Sequence, residues 1–115
     1  MAATVLIVDD FAPFRAAARA LLEADGFMVV GEAQDGPSAA AAVAQLRPDV
    51  VLLDIQLPGD DGFVVAGRLE DRARIVLTSS RDAREYASRL APDGPPFIPK
   101  AELSGPALAA ASAAA

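Results

Sequence analysis

The 115-residue sequence has no His, no Cys and no Trp, and only one Lys and one Tyr. Without Cys or His it can form no disulfide, no thiolate centre, no zinc cluster of the Cys/His kind and no Ser-His-Asp triad. A phosphorylated His could come only from a partner. No apolar run approaches the roughly 18 residues of a membrane span, and no basic, apolar signal segment opens the chain, so a cytoplasmic protein that does not engage the membrane is expected. Cations are scarce as well. Nine Arg and one Lys stand against 16 acidic residues, for a formal charge of −6, and direct nucleic-acid binding, which needs clustered basic groups, is not expected. Large apolar side chains are in short supply, because Ala alone contributes 27 of the hydrophobic residues that make up 53% of the chain. Residues 1–115 therefore read as one domain with a small core of Val, Leu, Ile and Phe.

The chain does have short apolar runs that end on polar groups. Val50-Val51-Leu52-Leu53, bounded by Pro48 and by Pro58-Gly59, reads as a strand buried on both faces, as in a parallel sheet, with Asp54 at its C-terminal tip. Taken alone, Asp54 is either a functional carboxylate or a turn cap. Thr4 to Val8 stops in the same way at Asp9-Asp10. Phe27 to Val30 runs toward Glu32, Arg74 to Thr78 ends in hydroxyls at Thr78, Ser79 and Ser80, and Phe97-Ile98-Pro99 is a strand kept short by Pro99 before Lys100. Helical spacing fills the intervals. The first helix, from Pro13 to Glu23, has an apolar face of Phe14, Ala17, Ala18, Leu21 and Leu22, with Arg15, Arg19 and Glu23 outside it. Others run from Pro37 through Ala40, Val43, Ala44 and Leu46, from Asp61 or Gly62 through Leu69, from Ala83 to Leu90, and from Ser104 or Gly105 to Ala115. Five β-α units in series predict an α/β fold, a doubly wound (βα)5 sandwich on a five-stranded parallel sheet.

With strand order 2-1-3-4-5 the first and third strands are neighbours at the switch point, which brings Asp9, Asp10 and Asp54 together, flanked by Thr78 and Lys100. The second strand tip offers nothing to this group. Three adjacent carboxylates repel, and the remedies are a raised pKa or a bound cation. Mg²⁺, held by one or two carboxylates with waters and a phosphate oxygen, suits a shallow site at a sheet edge. Lys100, the sole Lys, supplies a compact ammonium that can meet a carboxylate or phosphoryl oxygen as a point charge.

Val8-Asp9-Asp10, Leu53-Asp54 followed by Leu57-Pro58 and Asp61-Gly62, Val76-Leu77-Thr78-Ser79 and Phe97-Ile98-Pro99-Lys100 together resemble the receiver domain of bacterial two-component response regulators. The resemblance covers essentially the whole chain and implies the CheY-like, flavodoxin-like fold. It implies that Asp54 is the phosphoacceptor and that Asp9, Asp10, Asp54 and the backbone carbonyl of Gln56 hold Mg²⁺. It also implies that Thr78 and Lys100 bind the phosphoryl group, with Thr78 and Phe97 as the switch pair. The implied partners are a histidine kinase or phosphotransfer protein, docking beside Phe11, Arg15 and Arg19, and a downstream effector protein. A dimer formed on phosphorylation is a further partner that the family allows. Two positions depart from the family pattern: Ala101 follows Lys100 where Pro in a cis peptide is usual, and Phe97 replaces the frequent Tyr. Other readings stay open. These are the receiver part of a DNA-binding response regulator, and a pseudo-receiver that only binds proteins. A haloacid-dehalogenase-like phosphatase would need an Asp where Gln56 stands.

Overall fold

The computed structural model describes residues 2–114. Ala115, expected in the closing helix, lies outside the described residues. The main sheet has five parallel strands, numbered here in chain order: β1 (Thr4–Val8), β2 (Met28–Ala33), β3 (Val50–Asp54), β4 (Arg74–Ser79) and β5 (Phe97–Pro99). Their spatial order is β2-β1-β3-β4-β5, as expected from the βα alternation. Every residue of β3 is buried, in line with its unbroken apolar run at the centre of the sheet.

Four helices cover the two faces: α1 (Ala12–Ala24), α2 (Gly36–Leu46), α3 (Gly62–Leu69) and α4 (Gly105–Ala114). Alternate strand residues divide the core accordingly. Val5, Ile7, Val50, Leu52, Val76 and Ile98 pack with Ala18 and Leu22 of α1 and Leu108 of α4. Leu6, Val8, Val51, Leu53, Ile75 and Leu77 pack with Val43 of α2 and Val65, Ala66 and Leu69 of α3. The N–H of Gly105 at the start of α4 donates to Asp25 Oδ2 (3.1 Å), and Arg74 Nη1 donates to the carbonyl of Ser112 (2.6 Å).

Three local expectations change. The helix expected from Ala83 to Leu90 is a single 3-10 turn, Ala83–Tyr86, followed by irregular turns. Only Tyr86 and Leu90 from this stretch reach the core, which is too little apolar contact to offset the cost of nucleating a helix. The buried stripe of α1 is narrower than the five-residue face read from the sequence, since Ala17 and Leu21 are exposed and Phe14, Ala18 and Leu22 carry the packing. On α2 the buried positions are Gly36, Ala39 and Val43, while Ala40, Ala44 and Leu46 are exposed. Every peptide bond among the described residues is trans, including the one after Lys100.

Candidate functional site

Each strand running to the same sheet edge delivers its last residues there. β1 ends before Asp9, which is fully buried, and Asp10, which is exposed. Asp54 closes β3, 4% exposed, opposite Thr78 in the β3–β4 register. After Asp54 the chain turns back through a two-residue ribbon, Gln56–Leu57 against Asp60–Asp61, in addition to the expected five strands. Gly59, at φ 69°, makes this turn. Gly62 then starts α3 directly against the site, and a Cβ on it would lie 2.4 Å from Ile55 Cα and 2.6 Å from the carbonyl oxygen of Asp54. Only Gly lets the helix come this close and so fixes the backbone beneath Asp54.

The sequence-predicted acids meet. Carboxylate oxygens of Asp9, Asp10 and Asp54 all lie within 4.8 Å of one another. Lys100 Nζ sits 2.7 Å from Asp9 Oδ2 and 3.4 Å from Asp54 Oδ2, and rests 4.3 Å from the centre of the Phe14 ring. The Phe14 ring thus adds a cation–π contact to the ammonium that already meets two acids. Asp54 Oδ1 accepts from the N–H of Gln56 at 3.0 Å, and Asp9 Oδ1 accepts from the N–H of Phe11 at 2.9 Å. Two buried oxygens are left without an aligned hydrogen-bond partner: Asp9 Oδ2, which has only its charge contact with Lys100, and Thr78 Oγ1. An unmet buried polar atom costs about 1–3 kcal/mol, so Thr78 Oγ1 in particular favours a ligand that would satisfy it. An all-oxygen donor set with an open side toward Phe11 and Pro13 fits a hard divalent cation and an anion beside it.

Burial pushes the Asp54 carboxyl up from an ordinary 3.8 to about 6. The Gln56 N–H pulls it back, the charge of Asp9 raises it further, and Lys100 lowers it. For Lys100, burial pulls the pKa down, but Asp9 and Asp54 more than offset this and the pKa is raised. Near neutral pH the pair is therefore carboxylate and ammonium. Because folded Asp54 keeps its proton to higher pH than the unfolded chain, its contribution to stability is fully present below about pH 4 and is lost as pH rises through about 6. Glu32 and Asp61, whose pKa values are lowered, act in the opposite sense, so the useful measurement is a difference between two proteins. Without divalent cation, Asp54→Asn is expected to gain about 2–3 kcal/mol on the wild type between about pH 4 and pH 8. Urea denaturation of both proteins across that range measures the gain, and parallel curves would show that burial does not govern Asp54.

Phe97, on the strand beside Thr78, does not share its pleat. It pairs with Leu77 and packs with it on the α2/α3 face, whereas Thr78 pairs with Ile98, which packs on the α1/α4 face. Ser79 shares the pleat of Leu77. Its Oγ lies 2.9 Å from Tyr86 Oη, and the Tyr86 ring stands 6.0 Å from both Phe97 and Phe63. Neither Ser79 nor Tyr86 stood out in the sequence, where a second hydroxyl after Thr78 and the lone Tyr eight residues beyond it were the available signals. Arg15 and Arg19 do not project freely from α1. Both are bound to Glu32 on β2, so this strand is tied to α1 beside the site.

A family model for the response regulator receiver domain matches residues 5–101. The chain belongs to this family. Phosphorylation-dependent signalling is the general function of a receiver domain, and the fold seen here is the CheY-like one that the sequence predicts. A protein of Pseudomonas aeruginosa, provisionally named a transcriptional regulator, is 39% identical over 113 residues, which cover 95% of this chain and 55% of that protein. Response regulator PleD of Caulobacter vibrioides is 38% identical over 89 residues, covering 73% of this chain and 19% of PleD. Among solved structures, a two-component response regulator of the LuxR family from Aurantimonas sp. superposes with a TM-score of 0.84 at 27% identity, covering 99% of this chain and 87% of that one. The BeF3-activated N-terminal receiver domain of Klebsiella pneumoniae RstA superposes at 0.78 with 30% identity, covering 93% of each chain. This receiver domain thus spans about half the length of its Pseudomonas relative. Among its described residues no helix is long and apolar enough to cross a membrane.

Proposed function

We propose that Asp54 accepts a phosphoryl group from a partner histidine kinase or phosphotransfer protein and that the protein then signals through contacts with a downstream effector. The observation that carries this reading is the buried Asp54 carboxylate at a strand tip, with Lys100 and two further carboxylates around it. A carboxylate whose pKa lies near 6 is ionised at neutral pH yet more basic than an ordinary Asp, which favours it as a nucleophile. One oxygen of Asp54 bonds to phosphorus while the bond from phosphorus to the donor nitrogen breaks. The product is an acyl phosphate, and the donor imidazole leaves with the electron pair. Lys100 offsets charge on the incoming group, and Thr78 Oγ1 finds in a phosphoryl oxygen the acceptor it lacks. Asp9, Asp10, Asp54 and the carbonyl of Gln56 are the groups that would hold Mg²⁺, which supplies further neutralisation of the phosphoryl oxygens when bound. Intact mass after incubation with acetyl phosphate tests the reading. One added phosphoryl group, lost when EDTA is present, is expected; no addition under any condition would leave a pseudo-receiver that acts by binding alone.

The switch is proposed to start at Thr78 and to reach Phe97 through Ser79 and Tyr86. A charge-assisted bond from Thr78 to the phosphoryl group is worth about 1.5–3 kcal/mol, comparable with the gap between two states of a small element. The 3-10 turn Ala83–Tyr86 is weakly anchored and is the part that would yield, making this segment, β5 and α4 the output face. Amide exchange from Ser79 to Phe97 should change when beryllofluoride and Mg²⁺ bind, and that change should largely disappear in Thr78→Ala. Unaltered exchange in the wild type with ligand bound would refute this route. The Pseudomonas relative favours a second reading, in which this domain is the receiver part of a longer transcriptional regulator.

A further inference from the structure

β2 sends no side chain into the acid cluster, yet it is tied to it through α1. Glu32 on β2 accepts from Arg15 Nε at 2.9 Å and from Arg19 Nε at 2.9 Å. Arg15, with its side chain 17% exposed, also donates from Nη1 to the backbone carbonyl of Asp9. That carbonyl belongs to the peptide joining the two acids of the β1 tip, so its direction sets how Asp10 is presented relative to Asp9. A guanidinium is a rigid planar fork, and once its Nε is fixed on Glu32 the direction of Nη1 is fixed with it. Arg19 shares the same carboxylate but ends elsewhere, on the carbonyl of Val29 at 3.3 Å.

We propose that Arg15, braced by Glu32, is a positioning residue: it holds the Asp9-Asp10 peptide in the conformation that brings both carboxylates to Asp54, and thereby sets the affinity of the cluster for a divalent cation. The proposal rests on reading the cluster as a Mg²⁺ site. Groups that orient metal ligands from behind typically change metal affinity by about 10–100-fold when removed. The sign is diagnostic. Deleting a positive charge near a cation site strengthens cation binding by charge alone, so a loss of affinity in Arg15→Ala can come only from lost positioning.

Calorimetric titration of the unphosphorylated protein with Mg²⁺ tests this without any turnover. Thermal melts in EDTA establish that each variant is folded at the titration temperature. Arg15→Ala is expected to weaken Mg²⁺ binding by roughly tenfold or more. Arg15→Lys keeps the charge and lacks the fork, and should weaken it nearly as much. Arg19→Ala removes the other partner of Glu32 but leaves the Arg15 contact with Asp9, and should stay within about twofold of the wild type. Arg15→Ala within twofold of a wild type that does bind Mg²⁺, or Arg19→Ala as impaired as Arg15→Ala, overturns the positioning role and leaves the metal site standing. A wild type that binds no Mg²⁺ overturns both.

Discussion

Asp54→Asn will take up no phosphoryl group from acetyl phosphate in the presence of Mg²⁺, a loss of at least about a thousandfold in initial rate. The amide matches the carboxylate in size and can still accept from the N–H of Gln56, so the fold should survive, and by the pH argument it should be more stable near neutrality. What goes is the anionic oxygen that attacks phosphorus. Asp9 is a poor substitute because Oδ1 is committed to the N–H of Phe11 and Oδ2 lies against Lys100. Asp10 is exposed and lacks an ammonium partner among the described contacts. Mass spectrometry of the variant, followed by peptide mapping of any residual label, gives the result. Label retained at the wild-type rate would move the nucleophile elsewhere.

Lys100→Ala should slow phosphoryl uptake by about 10²–10³ while leaving Mg²⁺ binding in place. Lys100 Nζ lies between two buried carboxylates and is the one side-chain cation in contact with Asp54 among the described ion pairs. Its removal acts twice. The incoming phosphoryl charge is no longer offset, and Asp54, relieved of a cation that lowers its pKa, becomes harder to ionise. The pH profile of uptake should therefore shift to higher pH as the maximum falls. Lys100→Arg should recover little, since a planar fork resting on Phe14 cannot present a point charge to both acids. Uptake by Lys100→Ala at the wild-type rate and with an unshifted pH profile would remove Lys100 from the chemistry.

The strands and their tips were legible because each apolar run is short, bounded by Pro, Gly or acids, and closes on a polar residue. Asp9, Asp10, Asp54, Thr78 and Lys100 could be placed together from strand order alone. The ties that run sideways were not legible. Arg15 looked like a solvent-facing residue because helical periodicity identifies the face that packs on the core and is silent on an Arg whose partner, Glu32, lies 17 residues on and across a helix–sheet crossing. The relation between Thr78 and Phe97 depended on register: with Leu77 opposite Phe97, pleating puts Thr78 one residue out of step, and it is Ser79 that bonds Tyr86, the ring beside Phe97. The fourth helix failed for want of anchors, since apolar spacing over eight residues indicates amphipathicity and says little about whether the segment nucleates.

Tyr86 has a consequence of another kind. It is the sole Tyr in a chain without Trp, so emission excited beyond the absorption of Phe comes from one phenol. That phenol is hydrogen-bonded to the residue after Thr78 and sits between two Phe rings. The molecule thus carries an unlabelled optical probe at the joint between its β4 tip and the 3-10 turn Ala83–Tyr86. Any Trp brought by a bound partner stands against a dark background, and excitation transferred to it from Tyr86 reports how near that partner lies to this joint.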